Sequence, residues 1–595
     1  MIAVDFETEA IIGNPLIHPP KPVGVSVTWS VKDSKYYVGE EMEKICNEIW
    51  NTEEELIFHN APFDLSVARK HFNLPFPNWK RVHDTMYLVF LKNPHAKSLS
   101  LKYSADLYLN MPPEEQDKIR DWVLENVKTV TPKNWGAHIS KAPYELLAPY
   151  AIGDTLRAKK LYDELIHKIP KKPYDRERQL MPFLVDATVK GVRCNVAGLE
   201  TLQTSCELSQ RECDDRIRIL LDIPNLNIHS GRELASALDA ANMMTEWKLT
   251  RTGKRSTARD NLIAGVKDPE LLSLLIYSGT IQTILGTFIT PWLEKSELEG
   301  RLHPNWNQIR SNHGSNTFKG TRTGRLSSDD PNFQNIPNSY DINIPLGLVN
   351  IPDMRKFILP EESCVWVKRD WAAQEMRILA HFEEGALYEA FKADPDLDPH
   401  TMVQEMIKEK TGKLFDRKFV KGAGFGMIYG MGPKGLSKKL GITLLLAREL
   451  QDAYKIALPG VSQLQVATKQ RGRTGQCITT WGGREYYAEE PKIIESTYRS
   501  FEYKLTNYLM QGSAADQDKQ CLLDWFEGKT NVEDTYMATV HDEISISVPK
   551  DSVSSSMLFL KECMEQDYFD VPMRSDAFTG PSWGELKEYK ENENV

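Results

Sequence analysis

An α/β multidomain fold is predicted by three observations. The chain has 595 residues, more than a single hydrophobic core usually serves. Residues 1 to about 170 alternate strand-like runs (IAVDFET, PVGVSVTWS, LIFHN) with helical ones. Beyond them the pattern is mostly helical until two β-type runs, TYMATV and EISISV, flank the dipeptide His541-Asp542.

The elements follow in order. The segment KIPKKPYD (168–175) is rich in Pro and Lys and reads as a linker. From Arg176 to about Ile309 the pattern is helical, with RELASALDAANMM and PELLSLLIYSGTIQTILGTFITPWL as long amphipathic stretches. Residues 310–375 are rich in Gly, Asn, Pro and Ser and then strand-like. Residues 376–526 are mostly helical, and the hairpin and the tail FDVPMRSDAFTGPSWGEL close the chain. There is no internal repeat.

Composition bounds the function. With 41% hydrophobic and 26% charged residues the chain is an ordinary soluble protein. No apolar stretch long enough to span a bilayer is expected, so no membrane partner. The start, MIAVDFETEA, lacks the basic and apolar regions of a signal peptide. Eight cysteines without a CxxC pair read as free thiols of a reducing compartment, hence a cytoplasmic protein. The net charge of −10 taken bluntly opposes nucleic acid as partner. A chain rich in catalytic carboxylates can nevertheless be acidic overall and basic where it touches DNA. The run KLTRTGKRSTAR (248–259) is such a place: Lys248, Arg251, Lys254, Arg255 and Arg259 occur without an acidic residue. It is either a solvated loop or a grip on a phosphate backbone.

Several acidic positions suit metal chemistry. In EISISV, Glu543, Ser545 and Ser547 share one face and Ile544, Ile546 and Val548 the other. Asp542 and Glu543 thus stand at a hairpin tip, where a carboxylate pair can hold a divalent cation. Taken alone, such a tip is ordinarily just solvated. CVWVKRD reads as a strand ending in Asp370, followed by the helical AAQEMRILAHF. Asp370 is either a helix N-cap or the partner of Asp542 in a two-metal site, with ions about 3.5–4 Å apart. In RKFVKGAGFGMIYG, Arg417, Lys421, Phe425 and Tyr429 are spaced by four and form one stripe on a helix. Two cations and two aromatics suit a nucleoside triphosphate, although snorkelling cations on an amphipathic helix give the same pattern. The run lacks the GxxxxGK(S/T) spacing of a phosphate loop. Near the N-terminus, Asp5 and Glu7 share a strand face; Asp64 follows in FHNAPFD, and Tyr150 and Asp154 lie at i, i+4 in PYAIGDT.

These residues carry a resemblance. TRTGRLSSDDPNFQNIP (321–337) is close to the TxTGRLSSxxPNLQNIP signature of family A DNA polymerases, the class of bacterial DNA polymerase I and many bacteriophage replicases. RDWAAQEMRILAHF is similar to motif A, RxxxKxxxFxxxYG to motif B and VHDE to motif C, while NYLMQGSAADQDK (507–519) resembles the NxPxQGxAAD segment. The three N-terminal segments look like those of DEDDy-type 3′–5′ exonucleases. The resemblance covers essentially the whole chain.

It implies a ribonuclease H-like 3′–5′ exonuclease domain followed by a right-hand polymerase with helical thumb and fingers and an antiparallel-sheet palm. The implied boundaries are 1–172 for the exonuclease, 173–310 for the thumb, 311–380 and 499–595 for the palm, and 381–498 for the fingers. Asp370 and Asp542 would bind metal, with Glu543 auxiliary. Arg417 and Lys421 would hold the triphosphate, Lys421 also serving as general acid. Phe425 and Tyr429 would shape the base pocket and Glu375 would exclude a ribose 2′-OH. Arg325, Asn507, Gln511 and His541 would contact primer, template or minor groove, and Lys254 and Arg255 the thumb-side DNA. Asp5, Glu7, Asp64 and Asp154 would hold the exonuclease metals, with Tyr150 orienting the attacking water. The implied cofactor is Mg²⁺, two per active site, with Mn²⁺ as an alternative. The implied partners are primer-template DNA and dNTPs, with a replication helicase or single-strand-binding protein as further candidates. A monomer is expected. The chain starts directly at the exonuclease segment, an arrangement like that of a bacteriophage replicase working in a bacterial host cytoplasm.

The chain also departs from the pattern. Trp371, Ala372, Ala373 and Gln374 stand where Y-S-Q-I is usual, Gly424 replaces an Asn and Tyr503 an Arg. Gly422, Gly424 and Gly426 in one helix, each costing about 1 kcal/mol against Ala, predict a softened helix. A single-subunit RNA polymerase shares the palm motifs, but Glu375 and the exonuclease segments oppose it. A binding scaffold with dead sites is opposed by the presence of every expected carboxylate.

Overall fold

The N-terminal alternation folds into a five-stranded mixed sheet. Strands β1 (Ile2–Thr8), β2 (Pro22–Ser30), β3 (Asp33–Tyr37), β4 (Leu56–Phe58) and β5 (Val82–Asp84) take the order β3-β2-β1-β4-β5. The first three pair antiparallel, and β4 and β5 continue in parallel from β1. In this computed structural model the described residues are 1–296, 299–311, 318–340, 342–494 and 496–590. Helices α1 (Ala61–Phe72) and α3 (Tyr144–Leu165) pack on the sheet, and α2 (Leu101–Leu109) packs on α3. The Thr155 hydroxyl of α3 meets those of Ser26 and Thr28 at 2.8 Å each, which fixes the helix on β2.

The segment expected as a linker is not one. Helix α4 (Lys171–Lys190) starts inside it. Pro173 falls in the first turn, where its missing N–H costs nothing. Burial then decides the matter: Tyr174, Met181 and Val185 pack into the N-terminal core, and Leu180, Phe183 and Leu184 into the larger core that follows. Buried charges reinforce the junction. Glu177 of α4 accepts from Lys519 Nζ and is paired with Arg484, while Arg176 Nη1 reaches Asp516 at 2.9 Å.

Next comes a helical region including α5 (Val196–Leu221) and α6 (Pro269–Ile284). Contrary to the expectation from the sequence, one continuous helical run, Pro269–Lys295, is long and apolar enough to cross a bilayer by length and composition. Its composition has a packing reason: Leu271, Leu274, Leu275, Tyr277, Ile281 and Ile284 are buried and α6 lies against α5.

The second large sheet is antiparallel. Strands β6 (Cys364–Trp371), β7 (Thr535–Val540), β8 (Glu543–Pro549), β9 (Ser575–Gly580) and β10 (Lys587–Glu588) run in the order β7-β8-β6-β9-β10. In β8 both the polar and the apolar alternates are buried, from Glu543 to Val548. The polar face is covered by indoles: Trp366 Nε1 donates to Ser545 Oγ at 3.0 Å, and Trp366 stacks on Trp583. Helices α7 (Gln374–Glu383), α8 (Arg417–Ile428) and α9 (Leu505–Gly528) complete the surroundings of this sheet. All eight cysteines are free thiols.

Candidate active sites

The hairpin tip and the strand end meet. Asp370 is directly opposite Glu543 on one side and Asp576 on the other. His541 takes a left-handed turn conformation (φ 59°), and the Asp542 carbonyl accepts from the Trp371 amide at 3.0 Å. Asp370 is thus a strand residue and not an N-cap; Ala373 occupies the N-cap position of α7. Burial, and then the charge of Asp542, push the Asp370 carboxyl up to about 7. A carboxylate raised in this way is one that a cation restores to its charged form.

A cavity of about 1330 Å³ opens on this pair, and its lining also includes Arg417, Lys421 and Phe425 of α8. Three residues of the candidate triphosphate site and its metal pair, five side chains in all, therefore come from segments far apart in sequence. Arg417 Nε donates to Asp398 at 2.7 Å. Tyr429 stands just past the last turn of α8 and outside this lining; its hydroxyl donates to Glu375 Oε2 at 2.9 Å. Glu375 is buried, and its other oxygen accepts from Arg325 Nη2 at 2.8 Å.

Arg325, Gln511 and His541 line a second cavity of about 430 Å³. Asn507, one turn before Gln511 on α9, is not part of that lining, and its Oδ1 is buried without a hydrogen-bond partner. Lys254 and Arg255 lie in a separate exposed turn closed by Thr250 N–H to Lys254 O. That run has an acidic partner after all: Arg255 pairs with Asp239 and sits over the Trp247 ring.

The unusual residues after Asp370 face two ways. Trp371 is buried with Nε1 donating to Met564 O at 3.0 Å, and Gln374 Nε2 donates to Asp518 Oδ1 at 2.7 Å. Ala372 and Ala373 line the large cavity. Tyr503 is exposed beside Gly430. The glycines of α8 have a packing reason that does not require a softened helix. A Cβ on Gly424 would stand 2.9 Å from the Tyr454 hydroxyl, and one on Gly422 would press into Leu440.

At the N-terminus, oxygens of Asp5, Glu7 and Asp154 lie within 4.8 Å of one another. Asp64 is buried beside them, accepting from the Phe6 amide at 3.0 Å. Burial first, then Asp154, pushes Asp5 up to about 7; burial and neighbouring carboxylates also raise Glu7 and Asp64. Four acidic groups forced together in this way fit divalent cations. Two lysines escaped the sequence reading. Lys102 Nζ donates to the Tyr150 hydroxyl at 2.8 Å and to Asp154 Oδ2 at 2.7 Å. Lys368 Nζ donates to Glu543 Oε2 at 2.9 Å. The spacing of Lys368 two before Asp370 was a usable signal; nothing in the sequence marked Lys102.

Residues 196–585 match the sequence pattern of DNA polymerase family A. The chain belongs to that family. Among family A relatives, the thermostable DNA polymerase I of Thermus filiformis is 29% identical over 445 residues, which are 73% of this chain and 51% of that protein. The DNA polymerase I of Chloroflexus aurantiacus is 27% identical over 560 residues, 90% of this chain and 55% of that protein. The chain spans about half the length of the curated relatives it matches. The POL domain of Pol1 from M. smegmatis, solved in complex with DNA primer-template and dNTP, superposes with a TM-score of 0.74 at 21% identity. The match covers 98% of this chain and 95% of that one, so the likeness in fold extends through both sheets.

Proposed function

We propose that this family A chain adds dNTPs to the 3′-OH of a DNA primer under template direction, and that its N-terminal domain removes nucleotides from 3′ ends. The observation that carries the first half is the shared cavity of Asp370, Asp542, Arg417, Lys421 and Phe425. Asp370 and Asp542 would hold Mg²⁺, or Mn²⁺ in its place; bound there, the ions stabilise charge on attacking and leaving oxygens. Arg417 and Lys421 neutralise the triphosphate, and Lys421 is the proton source for the leaving pyrophosphate. Phe425 offers a face to the incoming base. Glu375, held by Tyr429 and Arg325, is the wall that meets a ribose 2′-OH. Arg325, Gln511 and His541 form the duplex-facing wall, with Asn507 behind Gln511.

The second half rests on the acidic cluster and on the sheet order, which suits a ribonuclease H-like domain. Asp5, Glu7, Asp64 and Asp154 would hold metal, and Tyr150 would orient water. The separate cores on either side of α4 support a domain division at about residue 172, with thumb, palm and fingers as assigned from the motifs.

Primer extension with end-labelled DNA and Mg²⁺, with and without dNTPs, tests both halves. Asp542→Ala should lose extension and keep digestion; Asp5→Ala should do the reverse. Extension by Asp542→Ala at the unsubstituted rate would refute the first half, and digestion by Asp5→Ala the second.

A further inference from the structure

Lys368 and Asp370 are two apart on β6, so their side chains leave the same face of the sheet. The Lys368 ammonium lies 2.9 Å from Glu543 Oε2 and 3.4 Å from Asp370 Oδ2. Its side chain is only 15% exposed and its charge stands over the Phe578 ring, 4.8 Å from the centroid. The remaining oxygen of Glu543 accepts from Trp583 Nε1 at 3.1 Å. Both carboxylate oxygens of Glu543 are therefore taken by donors in a buried setting. Asp542, one residue earlier at the turn, is half-buried and lines the open cavity.

We propose that Lys368 is a positioning residue that holds Glu543 out of metal coordination and sets the metal requirement of the polymerase site. The inference rests on the reading of Asp370 and Asp542 as the metal-binding pair. Its logic is charge balance. Lys368 and Glu543 cancel each other, so together they add no net charge to the field that cations meet at Asp370 and Asp542. Removing the lysine leaves Glu543 as an unbalanced anion beside Asp370 and strengthens cation binding. Removing the glutamate charge leaves Lys368 unbalanced and weakens it. Removing both restores the original balance. A bracing role alone would move none of these affinities.

The test is Mn²⁺ binding to the full chain, read by electron paramagnetic resonance, in an Asp5→Ala/Glu7→Ala background that silences the N-terminal cluster. Lys368→Met, which keeps the apolar stem over Phe578, should bind Mn²⁺ about threefold or more tightly. Glu543→Gln should bind it more weakly, and the double variant should return close to the parent. Lys368→Arg keeps the charge and should keep the parent affinity. Unchanged binding in Lys368→Met, or tightening in Lys368→Arg, overturns the proposal. If Lys368→Met does not fold, Glu543→Gln decides alone: unchanged or tighter binding there overturns it. Asp542→Ala separates the two levels. Should it leave Mn²⁺ binding intact, the metal-site reading and the inference fall together; should it abolish binding while Lys368→Met changes nothing, only the inference falls.

Discussion

Lys102 donates a hydrogen bond to Tyr150 at 2.8 Å, and the same ammonium reaches Asp154 at 2.7 Å. One cation thus fixes the tyrosine and a carboxylate of the N-terminal cluster together. Tyr150→Phe is expected to slow 3′-end digestion by about 10²-fold, the size of a lost proton-positioning group. Lys102→Met should slow it too, but add little in the Tyr150→Phe background. A double-mutant cycle on single-stranded DNA measures this, and fully additive losses would contradict the shared role. Primer extension should be unaffected by either change.

Stability should depend on pH in a definite direction. Asp370 and Asp5 have carboxyls raised to about 7 in the folded chain, against an ordinary value of 3.8. The folded state therefore holds these protons more firmly than the unfolded one. The contribution is fully present below the ordinary value and is lost as pH rises through about 7. Melting temperature in EDTA should fall between mildly acidic and mildly alkaline buffer, and Asp5→Asn with Asp370→Asn should flatten the fall. An unaltered slope in that variant would assign it to other buried carboxyls.

The buried charges at α4 should be costly to break. Glu177 is fully buried between Arg484 and Lys519. Glu177→Ala leaves Lys519 without its carboxylate and Arg484 with Asp516 alone, and is expected to destabilise by about 3–5 kcal/mol. Urea unfolding followed by tryptophan fluorescence reads the shift; a loss under about 1 kcal/mol would show that the network relaxes or admits water.

Gly424→Ala gains helix propensity but drives a methyl to 2.9 Å from the Tyr454 hydroxyl. Overpacking should win, at about 1–3 kcal/mol. Tyr454→Phe should recover part of that loss in thermal melts. A stabilised Gly424→Ala would show that the helix has room.

In the basic turn, Lys254→Ala should reduce the slope of log affinity against log salt for primer-template by about one phosphate contact. Arg255→Ala should do less, because Asp239 already pairs with Arg255. Equal effects would place both side chains on the backbone.

Local patterns were legible in the sequence wherever one segment supplied the whole signal. The strand character of β1 and β8, the helix at Arg417–Ile428 and the family signature at 321–337 each read correctly without a neighbour. The readings that failed depended on contacts between distant segments. KIPKKPYD looks like a linker because its Pro and Lys are judged alone; it starts a helix because two cores close on Tyr174 and Leu180. The glycines of α8 look like softness until Tyr454 and Leu440 are seen against them.

By itself, then, the amino-acid sequence determined the α/β character and the family and singled out the candidate carboxylates, since short-range periodicity and motif spacing encode these. Only the tertiary structure decided their electrostatic company. Nothing in the sequence marks Lys102, and the spacing of Lys368 from Asp370 does not say what it pairs with, yet burial brings each ammonium within hydrogen-bond reach of a carboxylate near the candidate metal sites. Charge interactions depend on distance through space and on exclusion of water, and neither quantity is written along the chain.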